Sequence, residues 1–200
     1  MALIKLNDRA VSNATTFGSI SSLGEMVFIS KATASSSASI EFTSGINSTY
    51  KEYVFYFYDI HPSTDQTSLL FQANTVGGSG FNETITSTTF QAQHSESGVS
   101  ELSYEGGMDQ AQGTSFQKIA HELGNDNDQT TSGFLHLYNP SSTTYVKHFI
   151  AESQSYRYND YSHRLFTAGY FNTISAIDQI QFKMDSGNID AGSILMFGIN

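Results

Sequence analysis

Six histidines are the residues of this chain best suited to metal or proton chemistry, and their spacing gives them no shared site. His61, His94, His121, His136, His148 and His163 are scattered, and none has a second ligand at the helical spacing that turns two imidazoles to one face. His121-Glu122 opens like the metalloprotease H-E-x-x-H, but position 125 is Asn, so the second ligand is missing. His136 and His148 fall on neighbouring expected strands and can face each other; two half-buried, hydrogen-bonded histidines are the preferred reading over a ligand pair. Asn125-Asp126-Asn127-Asp128 resembles part of a calcium loop but lacks the sixth-position Gly and distal Glu of an EF-hand. Asp126 and Asp128 are thus weak metal candidates, set against a solvated Asx turn.

Catalytic patterns are equally sparse. There is no cysteine and no G-x-S-x-G elbow, and a Ser-His-Asp triad would have to come from distant serines in Ser/Thr-rich stretches. Glycoside hydrolysis needs two carboxylates about 5–9.5 Å apart. Asp59, Glu83, Glu96, Glu101 and Glu105 offer acids, but nothing selects a pair. The GGSG at 77–80 has no following helix or P-loop lysine, so it reads as a loop. Three N-x-[ST] sequons at Asn13, Asn47 and Asn82 matter only in a eukaryotic secretory setting. The expectation is a chain with no catalytic residue, no cofactor and no enzymatic activity.

One constellation stays open. Tyr156, Arg157, Tyr158, Asp160 and Tyr161 crowd into six residues of loop. Tyrosine-rich polar loops stack on sugars and also make protein interfaces. Subunit contact is the first reading and a host glycan the second.

Composition narrows the partners. The chain has 200 residues and a formal net charge of −10. Such a surface repels phosphate backbones and anionic headgroups, so neither nucleic acid nor membrane is an expected partner. No apolar run approaches the ~20 residues of a membrane-spanning helix, and the N-terminus does not read as a signal peptide. Charged residues make up 14%, well below the usual ~25%; Ser and Thr, about a quarter of the chain, supply polarity instead. Aromatics make up 13%, all Phe and Tyr, which are strand formers with large burial energies.

Residues 1–24 are poor in aromatics and rich in Ser, Asn and Gly, with an apolar patch at Leu3, Ile4 and Leu6. They read as an arm that anchors the chain by burying that patch on a neighbour. From residue 25 to 200 the pattern is that of one β domain. Strands are expected at 26–31, 39–43, 52–61, 67–74, 85–94, 133–139, 144–154, 164–172, 176–184 and 191–199. Residues 52–61, EYVFYFYDIH, are apolar on both faces, which predicts a central strand covered by the core and by a partner. Tyr53, Phe55 and Phe57 join the arm as expected assembly residues. Residues 95–131 are expected to be long excursions with one helical turn near 107–112 or 118–123. Nine or ten strands with no long helix predict an all-β, antiparallel two-sheet sandwich of jelly-roll type with an extended N-terminal arm.

Four segments carry a resemblance. MALIKLNDRAVSN at the start, FTSGINSTYKEYVFYFYDIHPSTD (42–65), YNPSSTTYVKHF (138–149) and QFKMDSGNIDAGSILMFGI (181–199) resemble small virion structural proteins of marine tailed bacteriophages. The closing Met196-Phe197-Gly198-Ile199 is similar to the terminal strand of phage fibre-head and decoration jelly rolls. The resemblance implies a viral protein on the exterior of the particle. It would be a homotrimer working as a capsid decoration (cement) protein or short appendage, in contact with the major capsid protein or tail components. The alternative it implies is a tail-fibre or adhesin domain that recognises a host surface glycan.

Overall fold

The computed structural model describes residues 26–199. The expected arm, with Leu3, Ile4 and Leu6, lies outside the described residues. Thirteen strands and no helix make up the described part. They are β1 (Met26–Thr33), β2 (Ile40–Phe42), β3 (Glu52–Pro62), β4 (Thr67–Thr75), β5 (Ile85–Ser95), β6 (Ser100–Tyr104) and β7 (Ala111–Gly113), followed by β8 (Gln117–Leu123), β9 (Thr131–Tyr138), β10 (Lys147–Tyr156), β11 (Tyr161–Phe171), β12 (Ile177–Met184) and β13 (Ile189–Ile199).

The strands form two antiparallel sheets. The large sheet runs β1-β13-β3-β9-β10-β11-β5-β6, with β7 beside β5, and the small one runs β2-β12-β4-β8. The first four strands of the large sheet and the four of the small one share a winding rule. The chain changes sheet at every step from β1 to β5, again at β7–β8 and β8–β9, and at β11–β12 and β12–β13. That is the jelly roll expected from the sequence, a two-sheet antiparallel β-sandwich. Two insertions lengthen it: β5–β7 between β4 and β8, and the β10–β11 hairpin between β9 and β12.

Alternation explains the inner layer. Ile40 and Phe42, and Ile180, Phe182 and Met184, point inward, as their period of two requires. Six phenylalanines meet between the sheets where both are present. Phe42, Phe71 and Phe182 come from the small sheet, and Phe55, Phe149 and Phe171 from the large one. Ring centroids lie 5.1 Å apart for Phe71–Phe149, 5.4 Å for Phe42–Phe55 and 5.7 Å for Phe55–Phe182. Edge and tilted packings of this kind add to area burial.

The interior turns polar where the large sheet outruns the small one. β8 reaches over β10 and β11 there. Thr89, Gln91, Thr131, Ser153, Ser155, His163 and Thr167 are all buried on that side. Buried polar groups demand partners. Ser155 Oγ donates to Thr131 Oγ1 at 2.8 Å, and Gln91 Nε2 donates to Glu105 Oε1 at 2.7 Å.

Residues 95–131 depart from expectation. They carry β6, β7 and β8 rather than bare excursions, and 118–123 is strand, not a helical turn. Gln117, Ile119 and Ala120 alternate poorly, which hid β8; its partner β4 selects the extended form. The remaining loops cover the small sheet's outer side. Every residue of β4 is buried, and Gln72 Nε2 donates to the carbonyls of Glu83, Thr114 and Ser115 at 3.0, 3.3 and 3.1 Å.

Candidate functional site

The outward face of the large sheet is the feature with the most unspent chemistry. Register aligns one side chain per strand into rows across it. Leu195, Tyr56, Phe134, Glu152, Phe166, Phe90 and Tyr104 are successive cross-strand partners on β13, β3, β9, β10, β11, β5 and β6. Two aromatic contacts extend the row at its β1 end. Tyr56 meets Phe197 at 5.8 Å, and Phe197 meets Phe28 at 5.6 Å. Phe90 and Phe166 stack at 4.6 Å with planes 10° apart. A neighbouring stretch holds Tyr138, His148 and Tyr170 around an apolar hollow of about 450 Å³ floored by Ala168 and Ile150. Phe28 is 55% exposed, Tyr58 46%, Phe90 45% and Ile150 46%. Continuous exposed apolar patches are, in general, where folded proteins meet their partners.

Some charges of this face are held within it. Arg164 pairs with Glu152 and lies over the Phe166 ring at 5.3 Å, and Glu52 hydrogen-bonds the His136 ring, while Lys31, opposite Leu195, has no carboxylate partner among the described residues.

This placement corrects one set of expected residues. β3 does lie inside the sheet, between β13 and β9. Yet Tyr53, Phe55 and Phe57 point into the chain's own core with no exposed surface, so they have nothing to offer a partner. Tyr53 Oη even accepts from the Asn47 backbone N–H at 2.9 Å, closing a turn. The opposite parity, Tyr56 and Tyr58, faces outward. An all-aromatic strand hides its own direction, because alternation cannot distinguish two apolar faces.

The tyrosine-rich segment is a tight hairpin rather than an open loop. Tyr156 ends β10 and Tyr161 begins β11. Arg157 turns inward: it is 8% exposed, pairs with Glu122, donates to Gln93 and lies 5.7 Å from the Tyr161 ring. Arg157 therefore fastens the hairpin to β8 and β5 and is not a free ligand contact. Tyr158 N–H donates to the Glu122 carbonyl at 3.3 Å, which also ties it down.

Tyr156 is the exception. Its ring forms a wall of a polar groove of about 580 Å³, with His94, Glu96, Ser132, Gln154 and Asp160 around it. The Tyr156 hydroxyl donates to Asp160 Oδ1 at 3.1 Å, and Glu96 Oε1 stands 3.5 Å away. That bond and the nearby carboxylates push its pKa up to about 12.

The other titratable groups are structural. Asp126 and Asp128 sit on an exposed turn closed by the Gln129 N–H on the Asp126 carbonyl, at 2.9 Å. Among the described residues no three His, Asp or Glu side chains gather as a metal group. His136 and His148 lie on adjacent strands but are offset, with His136 opposite Ile150. Lys147 is fully buried, and its Nζ donates to the carbonyls of Tyr145 and Thr173, both at 3.1 Å.

His163 and His121 give a pH signature. Burial lowers His163 to about 3, with the Arg157 charge adding to it, and burial lowers His121 to about 4, with Lys118 and Arg157 adding. Both stay neutral in the fold, while unfolded histidine takes its proton near pH ~6.5. The unfolded state thus binds more protons below that pH, and stability is lost as pH falls from about 6.5 toward 4. The slope reaches ~1.4 kcal/mol per pH unit for each histidine. His163→Gln keeps a partner for Gln91 and is expected to flatten the slope by about one histidine's share. Urea denaturation from pH 7 to 4.5 measures it; equal slopes in the two proteins would contradict the assignment.

No family model, no curated protein and no solved structure matches the chain.

Proposed function

We propose that this chain is a non-enzymatic structural protein of a bacteriophage particle, displayed on the exterior as a capsid decoration protein or short appendage. It assembles as a homotrimer and contacts the major capsid protein or a tail component. The phage setting draws its support from the four resembling segments. The assembly half draws its support from one observation, the aromatic outward face of the large sheet.

A second copy suits that face for reasons of charge and size. Chains of net charge −10 repel one another least where acids are few, and here Glu152 is paired with Arg164 and Lys31 adds a positive charge. Eight strands at ~4.8 Å spacing make the face about 34 Å wide, and the stretch from His148 to Glu152 spans about 14 Å along the strands. The projected area is about 470 Å², more than half of the ~800 Å² per partner of a standard interface. Among the described residues β1 ends the sheet on one side and β6 with β7 on the other, and Met26 and Val27 on β1 are exposed. Edges of this kind invite pairing with another chain.

Antibodies raised against the purified protein test the setting. They are expected to decorate the outside of intact particles of a phage that encodes the chain, in electron micrographs. Particles that carry the protein only after disruption, or not at all, would overturn the exterior placement.

A further inference from the structure

We propose that the groove between the β10–β11 hairpin and the β5–β6 turn binds a neutral glycan, with a sugar ring stacked on Tyr156 and its hydroxyls shared among Asp160, Glu96, Gln154 and His94. The inference goes beyond the virion reading and does not depend on it.

The groove has the composition that sugars demand. A pyranose offers an apolar face and a fan of hydroxyls that each donate and accept. Tyr156 supplies an aromatic face, and its hydroxyl is held by Asp160 at 3.1 Å, so the ring is oriented before a ligand arrives. Asp160 Oδ1 receives the Tyr156 hydroxyl, leaving the second Asp160 oxygen and the Glu96 carboxylate to accept from a sugar. Gln154 Nε2 donates to Ser162 Oγ at 3.0 Å, which fixes that amide and turns its carbonyl oxygen to other donors. His94 supplies a ring N–H from the opposite strand. Preorganised polar groups around one aromatic wall reduce the ordering cost of binding.

Other ligand classes fit less well. No Lys or Arg lines the groove, two carboxylates do, and the chain carries −10, so uronic acids and sulfated sugars are repelled. The lining lacks the apolar pockets that an extended peptide uses for its side chains. The volume of about 580 Å³ is in the usual ~300–1,000 Å³ range of small-molecule sites and accommodates a short stretch of oligosaccharide. The groove also lies beyond the aromatic rows. Moving along β10 past Glu152, the face changes from Phe134 and Phe166 to Ser132, Gln154 and Arg164, whose charge is taken by Glu152, and then to Tyr156 and Ser162, so assembly on the apolar rows leaves the groove at the rim.

The test is an array of immobilised neutral oligosaccharides built from glucose, mannose, galactose and N-acetylhexosamines, printed beside uronic and sulfated counterparts. It is read with the full-length protein and followed by saturation-transfer NMR on any neutral sugar that binds. Tyr156→Ala is expected to weaken binding about tenfold, the worth of one aromatic contact. Asp160→Asn removes an acceptor without disturbing the hairpin, because Asp160 has φ +64° and Asn tolerates that left-handed conformation. It too is expected to weaken binding several-fold, while Ile174→Ala, exposed beyond the end of β11 opposite the hairpin, leaves it unchanged. Absence of binding to every neutral sugar at millimolar concentration, preference for the anionic sugars, or full binding by Asp160→Asn would each overturn the proposal.

Discussion

Phe71→Ala is expected to lower the unfolding free energy by about 3–5 kcal/mol, the largest loss for any single truncation in this core. Phe71 is fully buried on β4, where strands lie on both sides and loops cover the outer face. Its ring touches Phe149, Phe171 and Phe182 with centroids 5.1, 6.0 and 6.3 Å away. These neighbours come from three strands across two sheets, so none can shift to fill the space without disturbing the others. The transfer loss and the cavity therefore add. Phe90→Ala provides the contrast. Phe90 is also stacked, on Phe166 at 4.6 Å, but it is 45% exposed and leaves no enclosed void. Its loss is expected to stay near the ~0.5–1.5 kcal/mol of an aromatic pair. Urea denaturation of the two variants decides; equal losses would mean that the sandwich interior is not packed as described.

The second large effect is expected at the hairpin anchor. Glu122→Ala leaves the Arg157 guanidinium 8% exposed and without its carboxylate. An uncompensated buried charge costs about 3–5 kcal/mol. Arg157→Met is expected to be milder, below about 2 kcal/mol. Methionine refills much of the volume, and the Glu122 side chain, 31% exposed, can hydrate once freed. This inequality distinguishes a buried anchor from a surface ion pair, for which both losses would be under ~1 kcal/mol. Both variants are compared by the same denaturation measurement, and equal, small losses would contradict the anchoring role of Arg157.

The sequence carried the fold further than the site. Alternation at Ile180, Phe182 and Met184, and breaks at Pro62 and Pro140, marked strands and their ends because these signals depend only on local backbone geometry. A two-sheet sandwich or jelly roll followed from strand number and the lack of helix, but the order in which the chain winds between the sheets is a tertiary fact. β8 was not legible, since its extended form is imposed by pairing with β4 rather than by its own residues. The aromatic face was half legible. Phe134, His136 and Tyr138 shared a parity in the sequence, but their inner or outer direction depends on which sheet covers the strand, and that is a tertiary fact. The same blindness sent Tyr53, Phe55 and Phe57 outward on paper when they fill the core. In the tyrosine-rich hairpin, local composition signalled an unusual segment but not the division of labour inside it. Arg157 turns in because Glu122 and Gln93, remote in sequence, wait there, and Tyr156 turns out toward His94 and Glu96.

The proposed assembly through the aromatic face is tested most directly by sedimentation equilibrium of the full chain. Wild-type protein is run beside a Phe90→Lys, Phe166→Lys variant, whose two new charges stand on the outward side of β5 and β11 and leave the core untouched. The predicted result is a wild-type mass near three times the 21.9 kDa of one chain, and a folded variant at the mass of a single chain. A wild-type protein that stays at one chain's mass at high concentration, or a variant that assembles as well as wild type, would contradict it.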